Sequence, residues 1–306
     1  MISIIIDATI RAGTSILYAT LGEIIIERSG IINLGIEGLM LIGALSGFYT
    51  TYTTGSLFLG VISAVLIAGI AGLIHGILCT YFKGNQIVSG LALTMFGIGI
   101  TAVLGKKMVG QTIEGFKRIE IPFLSKIPVI GNSIFNQDIL VYLSIVLVFV
   151  ITFVLYKTVW GLNLRTVGEN PYAADVAGIN VTAYKLWATF IGSGLAGLGG
   201  AYLSLAYTPL WIENMSAGRG WIAVALVIFA SWSCKRALFG AYFFGGISAI
   251  QLRLQAMGTT ISAHILQMLP YIFTIVVLII ATIKLEKGYS SQPESLGLVY
   301  DREDRK

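Results

Sequence analysis

Four polar side chains interrupt an apolar stretch near the start of the chain: Glu27, Arg28, Asn33 and Glu37. Ionisable groups at membrane depth are costly, so they usually face one another or a cavity. We expect Glu27 and Arg28 to lie at a membrane surface, whereas Asn33 and Glu37 could line a polar pathway or its gate. The alternative is that these residues cap a helix and anchor it at the interface.

A second group of polar candidates occurs late in the chain, comprising Trp211, Arg219 and Gln251. Trp211 and Arg219 lie in a predicted loop, and Gln251 lies near the end of a predicted span. They could form the mouth of the same pathway or contact a separate protein. In the alternative interpretation, Trp211 is an aromatic anchor at the membrane interface.

The residue patterns of common catalytic sites are missing from the sequence. His75 and His264 have no second histidine or carboxylate at helical spacing, so a zinc site is not indicated. Neither the GxSxG nucleophile motif nor the GxxxxGK[ST] phosphate loop occurs. The glycines of 194–200 (GLAGLGG) lie in an apolar run and predict close helix packing. We therefore expect no catalytic residues, no metal and no cofactor bound by this chain, which is not predicted to be an enzyme.

The composition indicates which solvent surrounds these groups. The 306 residues are 56% hydrophobic and 11% charged, with a mean hydropathy of +0.85, whereas soluble domains carry about 25% charged residues. The apolar runs are continuous, so helices rather than a barrel satisfy the backbone in lipid. The sequence predicts one all-α polytopic membrane domain over 1–306. The net charge is +5. Because the basic residues lie at the ends of spans, this charge does not indicate binding to nucleic acid.

Charge-free runs of about 17 to 25 residues predict about nine helices. The predicted segments are 4–26, two spans within 38–82, 85–105, 139–160, 184–206, 221–232, 237–256 and 261–283. The segment 221–232 is too short for a full crossing: it could cross only with help from other segments, or it could be a half-helix buried in protein. A mixed loop is predicted at 106–138 and a mobile charged tail at 284–306.

The longest polar segment between two clean spans is 162–182 (LNLRTVGENPYAADVAGINVT). Asn170 and Pro171 are typical of a helix N-cap and first turn, and Gly178 is typical of a helix end. The pattern predicts a short helix on the membrane face that could dock a partner. An ordinary ordered loop is the alternative.

Three stretches resemble a known family. The run VGENPYAADVAGINV is similar to the cytoplasmic coupling loop of ABC-importer permeases for simple sugars and nucleosides. Residues 22–43 are similar to that family's first broken-helix motif, and residues 218–255 to its late membrane segment. They occur in the family's order. The sequence departs from the pattern at 231–234 (SWSC), where members more often carry a Gly, a basic residue and a Pro.

The resemblance implies a type II-like importer permease with broken helices. ATP and Mg would be held by a separate cytoplasmic ATP-binding subunit. The implied partners also include a second, non-identical permease, membrane lipid and an extracytoplasmic substrate-binding lipoprotein. The ATP-binding subunit would grip the coupling loop through Arg165, Gly168, Glu169, Asn170, Pro171, Ala173, Ala174, Asp175 and Gly178.

The shorter permease type looks most like those for nucleosides, with simple sugars or riboflavin as alternatives. Lys and Arg divide almost evenly between the two membrane sides. The resemblance therefore provides the orientation in a bacterial cytoplasmic membrane, with an outer N-terminus and a cytoplasmic C-terminus.

A different class, an ion-coupled secondary carrier, is suggested by a weak internal symmetry. The order apolar–polar–apolar recurs in 23–43 and 227–246, as in inverted-repeat transporters, although chance could produce it. The ion site would have to use Asn33, Glu37 or His75.

Overall fold

Long apolar helices dominate the computed structural model, which describes residues 2–122, 125, 127, 131–257, 262–286 and 291–303. In this part of the chain the helices are α1 (Ile2–Glu27), α2 (Ile36–Thr54), α3 (Leu57–Thr80), α4 (Gln86–Gly105), α5 (Gly131–Ile134), α6 (Ile139–Lys157), α7 (Val159–Glu169), α8 (Pro171–Val176), α9 (Val181–Tyr202), α10 (Arg219–Phe229), α11 (Cys234–Ala256) and α12 (Ala263–Glu286). A 3₁₀ turn follows α4 at Lys106–Met108, and a π-helical segment extends α9 over Leu203–Tyr207.

The all-α polytopic class is confirmed. Within the described residues, six helices are long and apolar enough to cross a membrane: Ser3–Glu27, Leu57–Thr80, Gln86–Met108, Ile139–Lys157, Val181–Tyr207 and Cys234–Ala256. The half-helix alternative for 221–232 is the one observed, as α10, with 11 residues. At about 1.5 Å per residue it extends roughly 16 Å, about half a bilayer core. The total of about nine helices crossing the membrane stays a prediction.

The core forms around α9, which packs against α1, α2 and α3. Helix α2 also packs against α3, α4 and α10, and α1 against α11. Small residues allow these close approaches. A Cβ on Gly200 of α9 would overlap the carbonyl oxygen of Met40, and one on Gly197 would overlap Ala68. The close packing predicted for 194–200 is therefore confirmed.

The outward faces of α3, α4 and α6 are apolar. Phe58, Val103 and Phe153 are 72%, 74% and 60% exposed, one on each helix. A soluble protein rarely leaves such extended apolar faces in water, whereas lipid accommodates them. These helices form the lipid-facing side of the bundle.

The loop at 106–138 contains regular structure that the sequence did not predict. Strands β1 (Arg118–Glu120) and β2 (Asn136–Asp138) pair antiparallel. The Arg118 guanidinium forms two hydrogen bonds, of 3.0 and 3.1 Å, with the carboxylate of Asp7. These contacts place the loop at the end of the bundle where α1 begins.

The prediction of a mobile tail is wrong for residues 291–303, which pack on the end of the bundle where α1 stops. Residues 284–286 belong to the last turn of α12, whereas 287–290 and 304–306 lie outside the described residues. The tail was predicted to be mobile from its charge, but it also contains apolar and aromatic residues that find partners on the bundle.

Candidate functional site

The helix predicted in the 162–182 stretch exists and is capped as expected. The side chain of Asn170 accepts a hydrogen bond from the Ala173 N–H at 2.9 Å, and Pro171 begins α8. Gly178 has a φ of +82°, a left-handed conformation that glycine adopts without a Cβ penalty. The Ile179 N–H then donates to the Ala174 carbonyl at 2.9 Å, which closes the helix end.

A second helix, α7, directly precedes α8 and was missed by the sequence analysis. The Thr158 side chain caps it by accepting from the Gly161 N–H at 3.2 Å. Leu164 and Val167 are its fully buried apolar residues. Two apolar residues three positions apart, following a threonine that can cap a helix, are a sequence signal for α7. The length of the polar segment 162–182 favoured a loop instead.

One side of α8 is anchored and the other is open. Ala174 packs with Val167 and Val181 in a small buried cluster. By contrast, Ala173 is exposed and Val176 is 87% exposed. The helix therefore presents an exposed surface whose position is set by the protein body.

The end of α7 packs directly on the segment between α1 and α2, residues 28–35, which we term the first break. A Cβ on Gly168 would overlap the carbonyl oxygen of Arg28. Glu169 lies 4.0 Å from the Arg28 guanidinium. The Arg165 Nε donates to the Leu155 carbonyl at 3.0 Å, which ties α7 back to α6. These contacts join the α7–α8 pair to the transmembrane bundle.

The first break also contacts the turn between α10 and α11, residues 230–233, which we term the second break. The Arg28 guanidinium donates to the Trp232 carbonyl at 3.4 Å, and the Trp232 indole N–H donates to Glu27 at 2.5 Å. Glu27 and Arg28 are only 4% and 7% exposed, so the protein itself surrounds them, and their expected position at the membrane surface stays a prediction. Ser231 and Trp232 have φ values of +46° and +55°, in the stretch where the sequence departs from the family pattern.

Glu37 joins the start of α2 to the start of α10. Its carboxylate accepts from the Ser216 hydroxyl at 2.5 Å and from the Gly218 and Gly220 N–H groups at 2.8 and 2.6 Å. These N–H groups have no helical acceptor at a helix start, and an anion is favoured there. Glu37 therefore acts as a cap on α10, close to the interpretation offered as the alternative.

Asn33 is fully buried in the first break. Its side-chain oxygen accepts from the Gly35 N–H at 2.8 Å, and its own N–H donates to Glu23 at 3.1 Å. Within the described part of the chain, its side-chain NH₂ has no hydrogen-bond partner. A pathway role for Asn33 and Glu37 stays a prediction.

The three later candidates lie in different settings. Trp211 is 1% exposed and packs on Phe48 at 6.3 Å between ring centroids, so it is neither an interfacial anchor nor a free contact for another protein. Arg219 donates to the Met215 and Ser216 carbonyls at 3.2 Å, beside the groups that Glu37 binds. Gln251 is half-buried on α11.

The histidine that sequence analysis considered for an ion site has structural partners. The two ring nitrogens of His75 lie 3.0 Å from the Ser89 hydroxyl and the Ile32 carbonyl. Among the described residues, no group of three or more His, Cys, Asp and Glu side chains is placed to hold a metal ion. The polar residues of the first break thus mainly hold helices together.

Comparison with known proteins gives consistent matches along nearly the whole chain. Residues 5–282 match the family described as the permease component of branched-chain amino acid transport systems. A putative glucose ABC transporter permease from Haloferax volcanii is 39% identical over 98% of both chains. No solved structure matches.

Two further relatives carry nucleoside names. A nucleoside ABC transporter permease from Lactococcus lactis is 35% identical over 90% of this chain and 92% of its own. A guanosine ABC transporter permease from Bacillus subtilis is 33% identical over 91% of this chain and 92% of its own.

Proposed function

Because the chain belongs to the family of permease components typified by branched-chain amino acid transport systems, it is an ABC transporter permease, and we propose that it imports nucleosides. The sequence has no GxxxxGK[ST] phosphate loop, and in this proposal a separate ATP-binding subunit supplies the driving force. The structural feature that supports ATP-driven transport is α8, which is anchored on one side and open on the other.

We place the ATP-binding subunit on the open side of α8. Ala173 and Val176 supply a small apolar surface there, and the Asn170 cap and Gly178 end give the helix a defined shape. ATP and Mg would be bound by that subunit. The end of the bundle that carries α8 would then face the cytoplasm, and the start of α1 would face outside a bacterial cytoplasmic membrane.

The direct contacts of α7 with the first break suggest how movement reaches the membrane. Displacement of α8 would shift Gly168 and Glu169, which touch Arg28. Arg28 in turn binds the second break at Trp232. Movement of α8 would thus be transmitted to both breaks. A second, non-identical permease and an outer substrate-binding lipoprotein would complete the transporter.

The nucleoside assignment is supported by two relatives with nucleoside names, and simple sugars are the alternative because of the putative glucose relative. A pathway that binds solute weakly is compatible with either, since the outer protein would supply specificity. An ion-coupled carrier has less support. Both Glu37 oxygens and both His75 nitrogens are already engaged by the protein.

The docking assignment can be tested by placing a charge on the open side of α8. We expect Val176→Asp to reduce co-purification of the ATP-binding subunit at least tenfold, because a carboxylate would be buried in an apolar contact. The matched control is Ile212→Asp, an exposed apolar residue (47%) outside the α7–α8 region. Glu169→Lys and Pro171→Gly should also cut ATP-driven uptake while membrane insertion is retained.

Normal subunit capture by Val176→Asp, together with normal uptake by the other two variants, would refute docking at α8. The solute is tested separately by uptake of labelled guanosine in cells that express the full transporter. Competition by other nucleosides but not by glucose supports the proposal, and the reverse pattern favours a sugar permease.

A further inference from the structure

We propose that residues 291–303 form a strap that positions α7–α8 against the first break, so that movement of α8 is transmitted to α1 and α2. This inference rests on the proposed function, because it assigns positioning residues to the same coupling surface. Within the strap, the main contacts are made by Ser295, Gly297 and Arg302, for which the sequence alone predicted no role.

The centre of the strap is held by backbone hydrogen bonds. Ser295 donates to the Gly168 carbonyl twice, from its N–H at 3.0 Å and from its hydroxyl at 2.5 Å. Two residues later, the Gly297 N–H donates to the Gly30 carbonyl at 3.1 Å. One short segment therefore binds both α7 and the first break, with Ser295 only 4% exposed.

The far end of the strap reaches α8 itself. Arg302 forms an ion pair with Asp175 at 3.2 Å, and the Tyr300 ring meets the Tyr172 ring edge-on at 5.2 Å between centroids. These contacts lie on the flank of α8. The apolar residues Ala173 and Val176 remain open, so the strap and a docked subunit can both be accommodated.

A further contact extends the strap to the turn between α3 and α4. Asp301 forms an ion pair with Lys83, and the hydrogen bond from Lys83 lowers the pKa of the Asp301 carboxyl below its usual value. The Gln86 amide donates to the Leu298 carbonyl at 3.4 Å. The strap thus contacts three elements: the α7–α8 pair, the first break and the turn between α3 and α4. In the chain, long helices separate these elements from one another.

This arrangement favours transmission over simple tethering. Exposed ion pairs such as Arg302–Asp175 hold weakly on their own, whereas the hydrogen bonds of the buried Ser295 and of the half-buried Gly297 are shielded from water to a greater degree. If α8 moved without the strap, the Gly168 and Gly30 carbonyls would each lose the strap N–H that donates a hydrogen bond to it. The strap makes α7–α8 and the first break move as one unit.

The test is a transporter reconstituted in liposomes with its ATP-binding subunit, using a permease that stops after residue 290. We expect the subunits to assemble and ATP hydrolysis to stay within twofold of wild type. Solute imported per ATP hydrolysed should fall at least tenfold. The full-length variant Ser295→Pro, which removes the N–H and the hydroxyl, should show the same uncoupling.

A charge swap in the Arg302–Asp175 ion pair tests whether this contact contributes to coupling. Asp175→Arg and Arg302→Asp should each lower import per ATP about twofold, and the double variant should restore it. Arg118→Ala, which breaks the Asp7 pair at the opposite end of the bundle, is the matched control and should have no effect.

Two results would overturn the strap. One is unchanged import per ATP in both the shortened chain and Ser295→Pro, and the other is loss of subunit assembly, since the segment would then be a docking surface. A wild-type complex that neither recruits an ATP-binding subunit nor imports solute would instead refute the proposed function. The two failures are therefore distinguishable.

Discussion

The segments 23–43 and 227–246 have the same order of apolar and polar residues in the sequence, but the breaks within them, the first and the second, turn the chain differently. The first break uses eight residues, and its polar groups are bound by Glu23, by Gln86 and by the strap. The second break is shorter and turns through two left-handed residues, Ser231 and Trp232. The first break relies on distant partners, whereas the second combines two left-handed residues with the contacts of Trp232 to Glu27 and Arg28.

The two breaks also contact each other, at Glu27 and Arg28 on one side and Trp232 on the other. Glu37, at the end of the first break, caps the half-helix that leads into the second. Segments that resemble repeats are therefore complementary partners in space. A disturbance in one break is expected to reach the other.

The largest expected effect comes from Glu37→Ala. It would remove the acceptor of the Ser216 hydroxyl and of two N–H groups at the start of α10. Buried groups left without a partner cost about 1–3 kcal/mol each, so we expect a total loss of roughly 3 kcal/mol or more. The check is the thermal unfolding midpoint of the purified permease in detergent.

Glu37→Gln is the matched control, because it keeps the shape and one acceptor oxygen. The free energy of unfolding should fall by less than half of the decrease caused by Glu37→Ala. Equal midpoints for Glu37→Ala and wild type would show that α10 does not depend on the first break.

A smaller effect is expected from Trp232→Phe. An aromatic ring is kept, although it is smaller than indole, and Glu27 loses the indole N–H, its donor from the second break. We expect a loss of about 1–3 kcal/mol, measured by the same unfolding midpoint. Phe244→Leu, a change in a fully buried ring of the same core (1% exposed) without a polar partner, separates lost packing from the lost hydrogen bond. A smaller loss for Trp232→Phe than for that control would contradict the assigned role.

The smallest effect is expected from Ser231→Gly, and it is the only change of the three that should increase stability. A left-handed conformation costs a non-glycine residue about 1–2 kcal/mol, and glycine also gains freedom when unfolded. The net expectation is a stabilisation of about 1 kcal/mol or less. Destabilisation by this variant would mean that the Ser231 side chain, and not the backbone, holds the turn.

Much of the helical framework follows from local residue patterns. The long charge-free runs predicted the spans, because lipid demands internally satisfied backbone groups. Asn170, Pro171 and Gly178 predicted α8 because capping involves residues only three or four apart. The length of the apolar run at 221–232 alone predicted a segment too short for a full crossing, and α10 is such a segment.

Partners far apart in the chain could not be deduced in this way. The position of Trp211 in the core, the capping of α10 by Glu37 and the binding of Ser295 to Gly168 each join residues separated by many helices. Charge suggested that the tail was mobile, although the apolar and aromatic residues of 295–300 were a usable signal against it.

The order of residues determined most of the long helices, where several of them start and stop, and that lipid surrounds them, since these properties arise from short-range hydrogen bonding and total hydrophobicity. It did not reveal α7. Tertiary packing alone decided which buried polar group meets which. A carboxylate such as Glu37 can accept from any N–H brought near it, and only the assembled bundle determines which ones arrive.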